Sequence, residues 1–178
     1  GWFTTAFPVV FDLDTDHEGD AIKQVKEQLR KIPNKGIGYG ILKYLTSPVK
    51  KEGMTWNLKP EISFNYLGQF DQEKEDHGFQ MSPMPAGDEF SPLSTSPYLL
   101  NIYGKVTDQR LEMNFQYHQH VYRFETVSRV AEEFVRQLRL LIGHCVSKEE
   151  EEWTPSDFSS KDLTFEELED ISDLLSDL

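Results

Sequence analysis

Ile62-Ser63-Phe64-Asn65-Tyr66-Leu67-Gly68 is the stretch from which the fold can be read. Six residues rich in branched and aromatic side chains end on a glycine, the pattern of a short strand. In a strand, Asn65 and Leu67 face one way and Phe64 and Tyr66 the other. Downstream, residues 71–96 scatter Gly78, Pro83, Pro85, Gly87 and Pro92 among polar residues and read as a long loop, of a length that inside a compact domain is often functional. Two further strands follow, 98–106 and 111–122, with Thr107-Asp108-Gln109-Arg110 as the turn between them. A helix over 126–145 places Val127, Val130, Phe134, Leu138, Leu141 and Ile142 on one apolar face.

Upstream, 50–59 is a charged loop. Before it a short helix opens at Gly36 and ends at Ser47-Pro48. A longer helix over 20–32 carries Ile22, Val25, Leu29 and Ile32 at helical spacing, with Lys23, Lys26, Arg30 and Lys31 on its wet face, and Pro33-Asn34 stops it. Residues 2–11 read as an apolar, aromatic strand with Pro8 at its entry or on a sheet edge. Strands and helices are mixed along the chain, which makes α+β the natural class. No internal repeat is present.

Composition narrows the function. Of 178 residues, 38% are hydrophobic and 12% aromatic, enough for a real core. The net charge is −13, and it is concentrated. Residues 148–178 hold 12 acids and 2 bases, or −10, and residues 1–147 hold 19 acids and 16 bases, or −3. Nucleic acid is thereby excluded as a partner, because phosphate contacts need clustered Lys and Arg. A basic protein partner for the tail is plausible. No run approaches the roughly eighteen apolar residues of a membrane span. The single cysteine, Cys145, cannot form an internal disulfide and falls in an apolar helical pattern, which suits a buried inert thiol and a reducing cytoplasm.

Three segments carry more than structure. Gly1-Trp2-Phe3-Thr4-Thr5-Ala6-Phe7-Pro8-Val9-Val10-Phe11-Asp12 opens the chain, Gly36-Ile37-Gly38-Tyr39-Gly40 follows Pro33, and Phe64-Asn65-Tyr66-Leu67-Gly68-Gln69-Phe70-Asp71 closes the first strong strand. Each alone has a purely structural reading: a packed strand, a turn in which glycines let backbone segments pass closely, and a core strand with structural polar side chains. The second is no dinucleotide loop, because it follows a helix and lacks the G-x-G-x-x-G spacing. In this order and spacing the three resemble the last core motifs of nonribosomal peptide synthetase epimerisation domains. Thr4-Thr5 departs from the Asn-containing variant of the sister condensation domains.

The resemblance implies a chloramphenicol-acetyltransferase-like fold, of which this chain is the C-terminal lobe. It implies inversion of an L-aminoacyl or peptidyl thioester held on the phosphopantetheine arm of a carrier domain, with no cofactor bound directly. Asn65 and Tyr66 carry over as catalytic candidates able to hydrogen-bond a developing enolate oxygen. Trp2, Phe3, Thr4, Gly36, Gly38, Tyr39, Gly40, Phe64 and Gly68 carry over as channel or motif residues. The family's doubled-His motif and its acidic partner lie upstream of the first segment. A chain starting at Gly1, in mid-strand, is therefore expected to be part of a larger domain and inactive without an N-terminal lobe. The alternatives are a condensation domain lobe and a non-catalytic docking module.

The tail supports docking. Thr164-Phe165-Glu166-Glu167 is a capping box. Phe165, Leu168, Ile171, Leu174 and Leu175 form one apolar stripe among acids. Such a helix either folds back on its own domain or inserts into a partner's groove. Residues 153–178 resemble the donor communication-mediating segment that joins one synthetase to the next, and the chain stops straight after the helix, as a natural C-terminus would. The expected organisation is 1–147 as the lobe, 148–163 as a polar linker and 164–178 as the docking helix. His118 and His120 alternate on the expected strand and share a face, but no third metal ligand stands near them.

Overall fold

The computed structural model describes residues 4–70, 84, 96–148, 152–158, 164–168 and 170. They fall into two compact units, one of Lys59–Phe134 and one of Gly1–Leu58 with Val135–Leu178.

The first of these holds a three-stranded mixed sheet of β1 (Ile62–Gln69), β2 (Leu100–Thr107) and β3 (Arg110–Tyr117) in that order. β1 and β2 run parallel, so a long connection must cross between them. The expected 71–96 loop falls in this connection and, apart from Met84 and Ser96, lies outside the described residues. β2 and β3 are antiparallel and joined by Asp108 (φ 52°) and Gln109 (φ 60°). Two successive positive φ values give the turn whose twist suits a tight hairpin.

The register sorts the side chains. Ile62 pairs with Leu100 and Leu100 with Tyr117; Phe64 pairs with Ile102 and Ile102 with Phe115. Alternation then places Ile62, Phe64, Tyr66, Leu100, Ile102, Val106, Leu111, Met113 and Phe115 on one face. The opposite face carries Asn65, Asn101, Tyr103, Lys105, Glu112, Asn114 and Gln116. The apolar face is covered unevenly. Leu100 is 8% exposed, whereas Ile62 and Phe64 on β1 are 58% and 61% exposed. The first part of helix α3 (Phe124–Ser147) contributes Val127, which is buried, and Phe134, whose ring meets Phe115 edge-on at 5.8 Å. The helix continues beyond Phe134 into the other unit.

In that other unit, helix α1 (Glu18–Arg30) starts two residues earlier and ends two earlier than its apolar repeat predicts. Glu18 and Asp20 in its first turn favour the early start, since acids suit the positive end of the helix dipole. A 3₁₀ turn (Pro33–Gly36) leads into α2 (Ile37–Gly40), which continues as a π-helical stretch (Ile41–Leu45) closed by Thr46 N–H donating to Ile41 O. A second 3₁₀ turn covers Pro48–Lys51.

Three sequence expectations are corrected. Residues 4–11 form no strand. Pro8 removes one backbone donor, and the segment is held by side chains instead: Phe7 packs on Gly36, and Gln28 exchanges two hydrogen bonds with the backbone of Asp12 (2.9 and 2.6 Å). The strand expected to reach 122 ends at Tyr117. Val121 and Tyr122 both donate to His118 O, a turn that takes His118 and His120 out of strand alternation. Among the described residues no three His, Cys, Asp or Glu side chains are grouped to hold a metal. Cys145, expected to be buried, is exposed.

Candidate functional site

The strand that decides the fold also holds the candidate catalytic pair. Asn65 lies opposite Tyr103 and Tyr66 opposite Gly104 in the β1–β2 register. As neighbours in a strand they project from opposite faces of the sheet. Asn65 belongs to a polar row, Asn65–Tyr103–Asn114, across all three strands. Tyr66 belongs to an apolar row, Tyr66–Gly104–Met113. Asn65 is exposed, and Tyr66 is 51% exposed. Among the described residues neither side chain has a hydrogen-bond partner.

Glycine shapes this strand at two points. Met113 Sδ lies where a Cβ on Gly104 would sit, and Glu112 O would be 2.8 Å from it, so β2 is bare beside Tyr66 and the Met113 side chain crosses the gap. Gly68 has φ 93° with open space around it, so conformation and not crowding requires glycine there. Between Tyr66 and Gln69 the register slips: β1 advances three residues while β2 advances two, from Gly104 to Val106. This is a β-bulge, a feature that re-aims side chains and recurs beside active sites. It lies directly after Tyr66.

The first two motifs meet each other in their own unit. Gly36 has φ 81° and is buried, and the Phe7 ring occupies the space a side chain would need. Asn34 and Lys35 before it also have positive φ, so the whole turn runs left-handed into α2. Gly38 and Gly40 differ, because a Cβ on either meets nothing within 4 Å. Of the three glycines expected to let backbone segments pass closely, only Gly36 is closely approached, and by the Phe7 ring instead of by backbone. Tyr39 packs edge-on against Trp56 (5.6 Å) and accepts a hydrogen bond from Lys43 Nζ (3.3 Å). Thr4 is exposed, and Trp2 and Phe3 lie outside the described residues.

In the tail, the capping box is present: Thr164 N–H and its hydroxyl donate to Glu167 Oε2 (2.9 and 3.0 Å). Those bonds, with Thr164's backbone first, hold the Glu167 carboxyl below its usual range. Phe165 is 40% exposed and Leu168 half-buried. Ile171, Leu174 and Leu175 lie outside the described residues.

Sequence reasoning missed a second tail feature, inside the expected linker. The 3₁₀ turn Pro155–Asp157 rests on α1. Thr154 is 1% exposed, and Ser156 N–H donates to Glu27 Oε1 (3.1 Å), with the Ser156 hydroxyl on the same oxygen. Asp157 pairs with Lys26 and, at 2.6 Å, with Arg30; Glu152 pairs with Lys23 (2.9 Å) and Lys148. Lys26 foremost, then Thr154 N–H and Arg30, hold Asp157 well below the usual carboxylate range. Lys148 and Lys23 bring Glu152 to about 2. At Glu27 burial pushes the pKa up, and the hydrogen bonds from Ser156 and Thr154 outweigh it, leaving it lowered. A second capping pattern, Thr154-x-x-Asp157, was the available signal.

A mixed three-stranded sheet with helices is the α+β fold of the condensation and epimerisation domains of nonribosomal peptide synthetases. The chain belongs to the Condensation domain family, which it matches over residues 1–164. It is 44% identical over 186 residues to gramicidin S synthase 1 of Brevibacillus brevis, covering 99% of this chain and 17% of that protein. It is 43% identical over 177 residues to surfactin synthase subunit 2 of Bacillus subtilis (strain 168), covering 99% of this chain and 5% of that one. The crystal structure of the epimerization domain from the third module of tyrocidine synthetase B superposes with a TM-score of 0.73 at 42% identity, over 84% of this chain and 34% of that one. The chain thus spans a small part of the synthetases it resembles. Among the described residues no helix is long and apolar enough to cross a membrane.

Proposed function

We propose that this chain is part of an epimerisation domain that inverts the α-carbon of an aminoacyl or peptidyl thioester on the phosphopantetheine arm of a carrier domain. The observation that carries this reading is the exposed Phe64–Gly68 motif on β1, bearing Asn65 and Tyr66, in a chain 42% identical to an epimerization domain. Removing the α-proton places negative charge on the thioester oxygen. A fixed donor 2.7–3.1 Å from that oxygen lowers the barrier, since it needs no reorganisation as charge develops. The family's upstream His and acidic motifs would supply the proton acceptor and donor, on the remainder of the domain.

Strand alternation sharpens the expectation for the pair. Asn65 and Tyr66 point to opposite faces, so one of them addresses the substrate directly and the other positions the strand. Tyr66→Phe and Asn65→Ala, each made in the intact synthetase domain loaded through its carrier, should therefore differ. One should lower the epimerisation rate about 10²-fold or more, the loss typical of a missing oxyanion donor, and the other less. Unchanged rates in both variants would overturn the assignment.

Docking is the second part of the proposal. The apolar stripe of Phe165, Leu168, Ile171, Leu174 and Leu175 would bury itself in a downstream synthetase, with the surrounding acids meeting basic residues there. The family's name keeps a condensation role as the competing reading. Peptide-bond formation in place of α-proton exchange would establish that role.

A further inference from the structure

We propose that the face of α1 formed by Lys23, Lys26, Glu27 and Arg30 is a socket for the Thr154-Pro155-Ser156-Asp157 turn, and that this charge-based latch fixes where the acidic C-terminal segment leaves the protein. Independent observations converge on it. The four socket residues stand at i, i+3, i+4 and i+7, one stripe of a helix. Each of them contacts residues 152–157: Lys23 holds Glu152, Lys26 and Arg30 hold Asp157, Arg30 also donates to Ser156 Oγ (3.0 Å), and Glu27 accepts from Ser156. The socket reads both signs, two cations for the Asp157 carboxylate and one carboxylate for the Ser156 donors, so a turn of reversed polarity would not fit.

The burial pattern marks a designed seat and not a chance surface contact. Glu27 is 7% exposed, Thr154 1%, and Pro155 is buried, although all belong to short surface elements. A buried carboxylate without partners would be costly; Glu27 is tolerated because the turn supplies donors. The turn also has hydrogen bonds of its own, since Thr154 N–H and its hydroxyl both donate to Asp157 Oδ2 (2.9 and 3.2 Å). Asp157 therefore serves twice, closing its own turn and gripping α1. From Asp157 to Thr164 there are seven Cα steps, at most about 25 Å. The latch thus confines the start of the docking segment to a short radius around the C-terminal half of α1, which raises its effective concentration for anything bound nearby. None of this depends on the epimerisation chemistry.

Charge exchange tests it in the full chain at fixed pH. Hydrogen exchange of the Thr154 and Ser156 amides is measured in the native protein and in Asp157→Asn, Lys26→Glu, Asp157→Lys and the Lys26→Glu/Asp157→Lys double variant. Each single change should speed exchange roughly tenfold, the scale of a lost charged hydrogen bond, and the double variant should recover part of that loss at the Ser156 amide, the Thr154 amide staying fast because a lysine side chain offers it no acceptor. Ser156→Ala, which removes only a hydroxyl, should speed it severalfold. Unaltered exchange in Asp157→Asn, or a double variant no better than the worse single one, overturns the latch. So does a loss of protection across α1's own amides in Ser156→Ala, because the turn would then be part of the helix's fold and not a part seated on it.

Discussion

Gly36 and its neighbours Gly38 and Gly40 look alike in sequence and behave differently in the fold. Gly36 combines φ 81° with the Phe7 ring against its Cα, whereas Gly38 and Gly40 lie in helical backbone with open space. Gly36→Ala should therefore cost about 2 kcal/mol or more, from left-handed strain plus displacement of Phe7. Gly38→Ala and Gly40→Ala should be neutral or stabilise by up to about 1 kcal/mol, the helix propensity difference. Urea unfolding of the three variants in the intact domain checks this, and equal losses in all three would show that the motif is read by something other than its own packing. The sequence motif could mark the segment as special. It could not rank its glycines, because φ and the approach of Phe7 arise only when residues 29 positions apart are brought together. Asn65 and Tyr66 were legible as a pair and as opposite-facing, since strand alternation is local. Their exposure on β1 was not.

At the scale of elements, local periodicity found what local forces determine. α1, α3 and the three strands of the sheet follow directly from apolar spacing and from the turn at Asp108-Gln109. The misses are elements whose state depends on distant partners. Residues 4–11 have strand-like side chains and form no ladder, because their contacts are Phe7 on Gly36 and Gln28 on Asp12. Residues 152–158 read as linker because three residues of 3₁₀ helix carry no periodicity, yet the charges of α1 seat them. The seat has a pH signature. Asp157, facing Lys26, Arg30 and Thr154, has a folded pKa below its unfolded value; so have Glu152, facing Lys148 and Lys23, and Glu27, facing Ser156, Thr154 and Lys31. A depressed carboxylate binds fewer protons folded than unfolded, so its contribution is complete above the unfolded pKa and is lost as pH falls through the folded one. For Glu152 that window runs from 4.5 down to about 2. The amide resonances of Thr154 and Ser156 should keep their docked shifts at pH 6 and move toward random-coil values below pH 4. Docked shifts that persist once all three carboxyls are protonated would exclude a charge-held seat.

For the molecule as a whole, fold and family agree with the reading of three short motifs, and the activity follows from them as a proposal. The apolar side of β1 is the most informative surface: Ile62, Phe64 and Tyr66 are 58%, 61% and 51% exposed on the strand that carries the candidate pair. The purely structural reading of the motif placed these residues in a core strand, and alternation alone cannot say which part of a sheet face is covered. The docking proposal separates from catalysis at this scale. Deleting residues 164–178 from the intact synthetase should leave the epimerisation rate within about twofold, while transfer of the product to the downstream synthetase falls at least about tenfold, as expected when a tethered contact is lost. Equal losses in both would place the tail in the catalytic fold. The central claim is best tested by supplying the intact, carrier-loaded domain with an L-aminoacyl thioester in deuterated water and analysing the hydrolysed product for chirality and mass. An epimerisation domain predicts deuterium at the α-carbon with appearance of the D form, both suppressed by whichever of Tyr66→Phe and Asn65→Ala faces the substrate. Retention of the L form without deuterium, with a peptide bond formed when an acceptor is present, would contradict it.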